Sequence, residues 1–309
     1  MRALVTGGAG FIGSHLVDAL LARGHDVVVL DNFSTGKVEN LPQGHPRLQV
    51  LRGDVRDADV VTRAMQGVNV AFHLAAHVSV PASIQDPLTT HAINVTGTVH
   101  VLEAARQAGV RRVVLASSAA VYGEPEKLPL SEDVPLRPLS PYASSKVANE
   151  ADARAYAASL GLETVALRFF NVYGPRQRAD SPYSGVIARF VEALAQDRAP
   201  TVFGDGRQTR DFIFVHDVVA ALLRAAEAPA HVVGRAFNVC TGRAVSLLDL
   251  LNVLYRFYPH APRPHFAPPR PGDIRHSRGD PTLAERLLGF RARVPLDQGL
   301  AQLLQALEG

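Results

Sequence analysis

Short apolar runs alternate with stretches of helical periodicity through the first half of the chain. Strands are predicted over residues 2–6, 26–31, 48–52, 70–74, 111–117 and 164–168, with helices over 11–23, 57–65, 89–108 and 140–159. Near-continuous apolar strands separated by amphipathic helices point to a parallel sheet covered on both faces. The predicted fold is therefore α/β, a doubly wound, Rossmann-type parallel sheet. After about residue 168 the rhythm breaks. Proline and arginine become dense, as in Tyr173-Gly174-Pro175-Arg176-Gln177 and Ala267-Pro268-Pro269-Arg270-Pro271-Gly272-Asp273, and the apolar runs shorten. A sheet domain over 1–168 and a smaller, loop-rich C-terminal domain over 169–309 are expected, although the strand-like 212–215 and 237–239 could return to the main sheet.

The first strand enters the turn Thr6-Gly7-Gly8-Ala9-Gly10-Phe11-Ile12-Gly13, whose glycines at 7, 10 and 13 have G-x-x-G-x-x-G spacing. Such a turn lets backbone approach a pyrophosphate and aims the unpaired N–H groups of a helix N-terminus at it. Alone the triplet is a weak signal. The second apolar strand strengthens it, because it closes on Asp31 about 20 residues later, where a carboxylate accepts hydrogen bonds from both ribose hydroxyls and repels a 2′-phosphate. The cofactor expected is NAD rather than NADP. Ligands of such sheets bind outside the carboxyl ends of the strands. Asp31, Asp54, Leu74-Ala75-Ala76, Ser117-Ser118 and Phe169-Phe170-Asn171 all stand there, so five positions converge on one crevice.

Composition narrows the class. At 309 residues, 20% charged and 47% hydrophobic, the chain is an ordinary globular protein. Its net charge of +3 is spread without a basic run, which argues against a nucleic-acid partner. A single cysteine, Cys240, excludes intrachain disulfides and cysteine-rich metal sites, and no metal site is expected. No charged-then-apolar leader precedes the first strand, and no apolar stretch approaches the ~20 residues of a membrane span. A cytoplasmic protein without a membrane partner is expected.

Tyr142 and Lys146 form Y-x-x-x-K within a helical pattern, a spacing that places both on one face. An unperturbed tyrosine of pKa ~10 is a poor base at neutral pH. A fixed ammonium and a positively charged nicotinamide nearby would favour its phenolate. Taken alone, the pair could equally be a solvated helix face. Pro141 marks a helix start, however, and Ser118 ends a strand at the same crevice, where its hydroxyl could share the reacting proton. Lysine occurs only at 37, 127 and 146, which makes Lys146 conspicuous.

These motifs resemble the extended short-chain dehydrogenase/reductases, and among them the UDP-hexose 4-epimerases. The resemblance runs through the whole length: the glycine turn, Asp31-Asn32-Phe33-Ser34-Thr35-Gly36, Gly53-Asp54, His73-Leu74-Ala75-Ala76, Ser117 to Gly123, Pro141 to Lys146, Leu167 to Gln177, Arg210-Asp211-Phe212 and Arg270 to Asp273. It implies Tyr142, Lys146 and Ser118 as the catalytic residues. It implies cofactor contacts from Gly7, Gly10, Phe11, Ile12, Gly13, Asp31, Asn32, Ser34, Gly36, Asp54, Val55, Leu74, Ala75, Ala76, Asn94, Ser117 and Phe169 as well as Tyr142 and Lys146. For the nucleotide sugar it implies Ser79, Val80, Ser118, Tyr142, Asn171, Val186, Phe203 near the uracil, Arg210, Arg270, Asp273 and Ser277. A homodimer through the helices at 89–108 and 140–159 is also implied, their apolar stripes covering one another.

The activity implied is a hidden redox cycle. Tyr142 takes the proton of the sugar 4-hydroxyl while hydride leaves for NAD, the 4-keto sugar turns over, and hydride returns to its other face. Related sugar 4,6-dehydratases carry Asp-Glu after the serine and related decarboxylases a Glu, whereas this chain has Ala119-Ala120, so elimination would lack its acid and base. Ser277 stands where a bulky residue would exclude a 2-acetamido group, so UDP-GlcNAc and UDP-GalNAc are expected substrates beside UDP-Glc and UDP-Gal. UDP-glucuronate, with Arg178 or Arg189 facing its carboxylate, and a 4-ketoreductase reaction are alternatives; a non-catalytic NAD-binding sensor is a remoter one.

Overall fold

The structure, a computed structural model, describes residues 1–178, 185–269 and 274–308. The chain opens with β1 (Arg2–Thr6), α1 (Phe11–Ala22), β2 (Asp26–Asp31), β3 (Leu48–Arg52), α2 (Ala58–Ala64) and β4 (Val70–His73). Next, α3 (Val80–Gln85) and α4 (Pro87–His91) lead through one π-helical turn, Ala92–Thr96, into α5 (Gly97–Gln107), β5 (Arg112–Ser118), α6 (Pro141–Leu160) and β6 (Glu163–Phe169). The second half carries β7 (Asn171–Tyr173), α7 (Val186–Ala195), β8 (Thr201–Phe203), β9 (Thr209–Arg210), β10 (Phe212–Phe214), α8 (Val215–Glu227) and β11 (Arg235–Val239). It ends with β12 (Val245–Ser246), α9 (Leu247–Leu254), β13 (His265–Ala267), α10 (Thr282–Leu288) and α11 (Leu296–Glu308).

Seven strands pair in parallel in the order β11-β6-β5-β4-β1-β2-β3. Alternation along each strand sends successive residues to opposite faces. Val5, Val29, Phe72 and Val114 thus meet Leu16 and Leu20 of α1 and Val218 and Leu222 of α8 in one apolar layer. Leu4, Val28, Ala71 and Val113 meet Val61 of α2 and Val101, Leu102 and Ala105 of α5 in the other. The chain runs outward from β1 through β2 to β3, then crosses back to β4 and runs the other way. The topological switch point lies between β1 and β4, where a crevice opens at the strand carboxyl ends.

Local chemistry explains the boundaries. The side chain of Ser140 accepts from Ala143 N–H at 3.1 Å, Pro141 occupies the first helical position, and Gly161 at φ +70° ends α6. Asp57 caps α2 through Asp59 and Val60 N–H. The helix expected over 89–108 begins earlier and is interrupted by the π-helical turn, on which Asn94 is buried. β5 extends through Ser118.

Of the two strand-like stretches of the second half, 237–239 does join the main sheet, as part of edge strand β11 beside β6. The stretch 212–215 does not. Phe212–Phe214 pairs with Asn171–Tyr173 in a separate two-stranded sheet, where a third apolar cluster with Tyr173, Phe190, Val202, Leu250 and Leu300 takes up Phe212 and Phe214, while Ile213 packs into the layer of α1 and α8.

Arg112 fastens the two halves together. Its side chain, 1% exposed, donates to Glu163 Oε2 at 2.9 and 2.7 Å and to the carbonyls of Ala225 and Ala228 at 2.9 and 2.5 Å. A cation at the carbonyl end of α8 is favoured by the helix dipole. Arg112→Met leaves the buried Ala225 and Ala228 carbonyls without this donor and should lower unfolding stability by about 2–4 kcal/mol, read as a lower urea midpoint. Arg111→Met, at a side chain half exposed to solvent, should cost under about 1 kcal/mol.

Candidate active site

Hydrogen is all that fits between the first turn and the loop after β4. Gly7 has φ +69°, and a Cβ there would stand 2.8 Å from Ala75 N; at Gly13 it would run into the Gly7 carbonyl oxygen. The first turn of α1 follows Gly10 with no side-chain cap, leaving its N–H groups for an anion. Asp31, at the end of β2, is fixed on both oxygens: Oδ2 accepts from Ala9 N–H at 2.9 Å and Oδ1 from Phe33 N–H at 2.8 Å. Each oxygen keeps a lone pair for a further donor, which suits two adjacent ribose hydroxyls. Gly36 lies against this carboxylate; a Cβ there would be 3.0 Å from Asp31 Oδ2.

Asp54 is held by Arg56, whose Nε and Nη2 donate at 2.9 and 2.8 Å, and by Asn32 Nδ2 at 2.9 Å. These bonds, the guanidinium first, hold its carboxyl far below the usual carboxylate range. Asn32 Oδ1 in turn accepts from Ser34 N–H, and Val55 is buried beside them. Glycine cradle, uncapped helix, lone pairs on Asp31 and anchored Asp54 fit a dinucleotide, and the Asp31 charge fits NAD rather than NADP.

A buried polar chain braces the crevice floor. Thr6 Oγ1 accepts from Leu74 and Ala75 N–H at 3.2 Å each and lies 2.8 Å from His73 Nδ1; His73 Nε2 lies 2.9 Å from Thr98 Oγ1, which donates to Asn94 O at 2.5 Å. Asn94 Oδ1 accepts from His77 N–H at 2.7 Å, and its Nδ2 donates to Ser145 Oγ at 2.9 Å on α6. The loop carrying Leu74, Ala75 and Ala76 is thereby tied to β1 on one side and to α6 on the other. Burial, with the Lys146 charge second, pushes the His73 imidazole down to about 3.

Ser118, Tyr142 and Lys146 come together as the spacing predicts. Ser118, the last residue of β5, faces the Tyr142 phenol closely enough to favour its ionised form, and Lys146 Nζ sits 5.9 Å from the centre of the Tyr142 ring. Their electrostatics differ from the expectation, in which a fixed ammonium favours the phenolate. Burial raises the phenol, and only the facing Ser118 hydroxyl opposes it. Lys146 donates instead to the Ala116 carbonyl at 2.9 Å, and burial lowers it to about 8. The chain by itself thus keeps Tyr142 protonated.

On the other side of the crevice, Phe169 ends β6, and Asn171 N–H donates to Asp211 O at 3.0 Å. Asp211 is fully buried and accepts from Thr241, Gly242 and Gly279, gathering three segments. One of these brings Ser277, whose N–H donates to Thr209 O at 3.1 Å, next to Arg210. Phe203 ends β8, Val186 begins α7, and Ser79 caps α3 ahead of the exposed Val80. Arg270 and Asp273 lie outside the described residues. Thr6, His73 and Asp211 lie within the quoted motifs, but their bracing roles, like that of Arg56, escape a reading by motif. Each is a common polar residue whose role comes from a partner distant in sequence, except Arg56, whose place two residues after Asp54 could have flagged it.

A crevice for a dinucleotide with a Ser–Tyr–Lys constellation at its mouth defines an enzyme of the short-chain dehydrogenase/reductase type. Residues 3–240 match the NAD dependent epimerase/dehydratase family, and the chain belongs to that family. It is 45% identical over 309 residues to the UDP-glucose 4-epimerase of Mycolicibacterium smegmatis, covering 99% of this chain and 98% of that protein. Among solved structures, the UDP-glucose 4-epimerase of Thermus thermophilus, in complex with NAD, is 40% identical with a TM-score of 0.91 over 100% of this chain and 99% of that one. The UDP-N-acetylglucosamine 4-epimerase of Methanobrevibacter ruminantium, in complex with UDP-N-acetylmuramic acid, is 35% identical with a TM-score of 0.95, covering 99% and 98%.

The depressed His73 sets an acid limit on stability. Between pH 6.5, its ordinary value, and about 3, the unfolded chain binds a proton that the folded one refuses. Stability from this group is fully present above pH 6.5 and is lost as pH falls through that window. His73→Gln should flatten the decline of the melting temperature between pH 6.5 and about 4 relative to the parent, measured by calorimetry.

Proposed function

We propose that this protein is an NAD-dependent 4-epimerase of UDP-sugars. The observation that carries the reading is the placing of Ser118 and Lys146 against the buried Tyr142 at the mouth of the dinucleotide crevice, followed by Ala119-Ala120. Residues 1–168, with α8 and β11 added back from the second half, hold the cofactor, and the remainder takes the nucleotide sugar. Glycines 7, 10 and 13 and the start of α1, with Phe11 and Ile12, face the pyrophosphate. Asp31, Asn32, Ser34 and Gly36 hold the adenosine ribose, and Asp54 and Val55 the adenine. Leu74, Ala75, Ala76, Asn94, Ser117 and Phe169 line the nicotinamide end.

Bound there, NAD supplies the hydride acceptor and a positive charge. Tyr142 takes the proton of the sugar 4-hydroxyl and returns it once the opposite face is presented. Ser118 bridges the phenol and the reacting oxygen, and Lys146 steadies the end of β5. Ala119 and Ala120 offer neither acid nor base, so the oxidised sugar is not diverted into loss of water. Ser79, Val80, Asn171, Val186, Phe203, Arg210, Arg270 and Asp273 bind the nucleotide and sugar, the guanidinium forks suiting a diphosphate.

A small residue at Ser277 leaves volume for a 2-acetamido group, so the substrates include UDP-GlcNAc and UDP-GalNAc as well as UDP-Glc and UDP-Gal. The protein works as a cytoplasmic homodimer. An apolar groove lined by Pro87, Leu88, His91, Val95, Pro141 and Ala148, with Leu88 83% exposed, runs between the helices that would pair.

Incubation with a panel of UDP-sugars and no added reductant should yield C4 epimers. A requirement for stoichiometric reductant would make the protein a ketoreductase instead. Tyr142→Phe should lower turnover by about 10²–10⁴-fold or more while leaving cofactor binding intact, followed by fluorescence titration. Ser277→Tyr should remove turnover of the N-acetylated substrates and spare the plain hexoses, seen in side-by-side kinetics.

A further inference from the structure

Tyr142, Lys146 and Glu150 recur every four residues on α6 and stand in one row along the helix. Three consecutive residues of β5 are each tied to one of them. The Ala116 carbonyl accepts from Lys146, the Ser117 hydroxyl donates to Glu150 Oε1 at 2.5 Å, and the Ser118 hydroxyl faces the Tyr142 phenol. Arg168, opposite Ser117 on β6, grips the same carboxylate, donating from Nε to Oε1 at 2.9 Å and from Nη2 to Oε2 at 2.7 Å. The Arg168 and Glu150 side chains are only 4% and 9% exposed. Arg168 Nη1 also donates to the Tyr122 hydroxyl at 2.8 Å, which fixes its direction.

A buried ion pair is a costly way to fill a core, since apolar residues of the same size often serve as well or better. Here the carboxylate has a further neighbour. It lies close enough to Lys146 to counter the burial that strips the ammonium of its proton. The titratable groups facing Lys146 are Tyr142 and Glu150 on its own helix and His73 on β4, with Arg168 of β6 behind Glu150. Among them, Glu150 supplies the stabilising negative charge.

We infer that Glu150, clamped by Arg168, is a positioning residue of this site: through Ser117 it sets the end of β5 against the turn of α6 that carries Lys146 and Tyr142. The inference rests on the reading of Ser118, Tyr142 and Lys146 as the reacting set. Removing the carboxylate loosens the Ser118–Tyr142 contact and lets Lys146 become neutral at a lower pH.

Three lysines make the test direct. With Lys37→Arg and Lys127→Arg in place, ¹³C-lysine labelling leaves one side-chain signal, that of Lys146. Its titration midpoint should lie at about 8 in this parent and fall by about tenfold or more in proton affinity in Glu150→Gln. Glu150→Asp should restore it. Turnover of UDP-glucose should fall in Glu150→Gln with KM little changed, and the alkaline limb of the pH profile should move to lower pH. Because Glu150→Gln leaves Arg168 buried without its partner, Glu150→Met/Arg168→Met is made alongside. It should fold and still show the lowered midpoint.

An unchanged midpoint in either folded variant overturns the inference, and so does unfolding of both, which would make the pair a structural brace only. The titration needs no turnover. A parent that fails to epimerise UDP-sugars while its variant shows the lowered midpoint sinks the functional reading and leaves the effect of Glu150 on Lys146 standing.

Discussion

The crevice exists because two loops approach each other more closely than any side chain allows. The turn after β1 and the loop after β4 meet at Gly7 and Ala75, and a single methyl group at Gly7 would collide with backbone. Backbone cannot yield as a flexible side chain can, so the contact fixes the separation of β1 and β4 at the point where strand order reverses. The Thr6–His73–Thr98–Asn94 chain carries that separation across to α6, and with it the distance from the dinucleotide floor to Tyr142.

Within this frame burial works on the charges of Tyr142 and Lys146. Burial pushes the Tyr142 phenol up and the Lys146 ammonium down, and both shifts favour neutral forms. The phenol is a weak base until a further cation comes beside it. The positive ring of an oxidised nicotinamide would be that cation, so the site is most basic when it holds cofactor ready to accept hydride. Water excluded from the same space strengthens the effect, because the charges then interact through a medium of low dielectric.

Much of this was legible in the sequence, and the reason is periodicity. Five central strands buried on both faces leave continuous apolar runs, and their carboxyl ends carry residues with few other reasons to be there, such as Asp31 and Ser118. The second half reads less well. Strands of two or three residues, such as β9 and β12, are too short to show alternation, and Phe212–Phe214 is apolar enough to suit either sheet. Long-range polar pairs are invisible for another reason. Glu150 and Arg168 each look like a solvated charge, and only folding shows that they meet. The protonation state of Tyr142 likewise follows from burial, which motif spacing does not encode.

Edge strand β11 comes from the second half of the chain but completes the sheet built by the first, with Arg112 anchoring α8 beneath it. A fragment ending near Phe169 would therefore carry every glycine of the cofactor turn and yet present the bare backbone of β6 as a template for strand addition by another molecule. Gene fusion or recombination across that boundary would yield insoluble products rather than a free-standing dinucleotide module. In this chain the two halves are inherited as one piece.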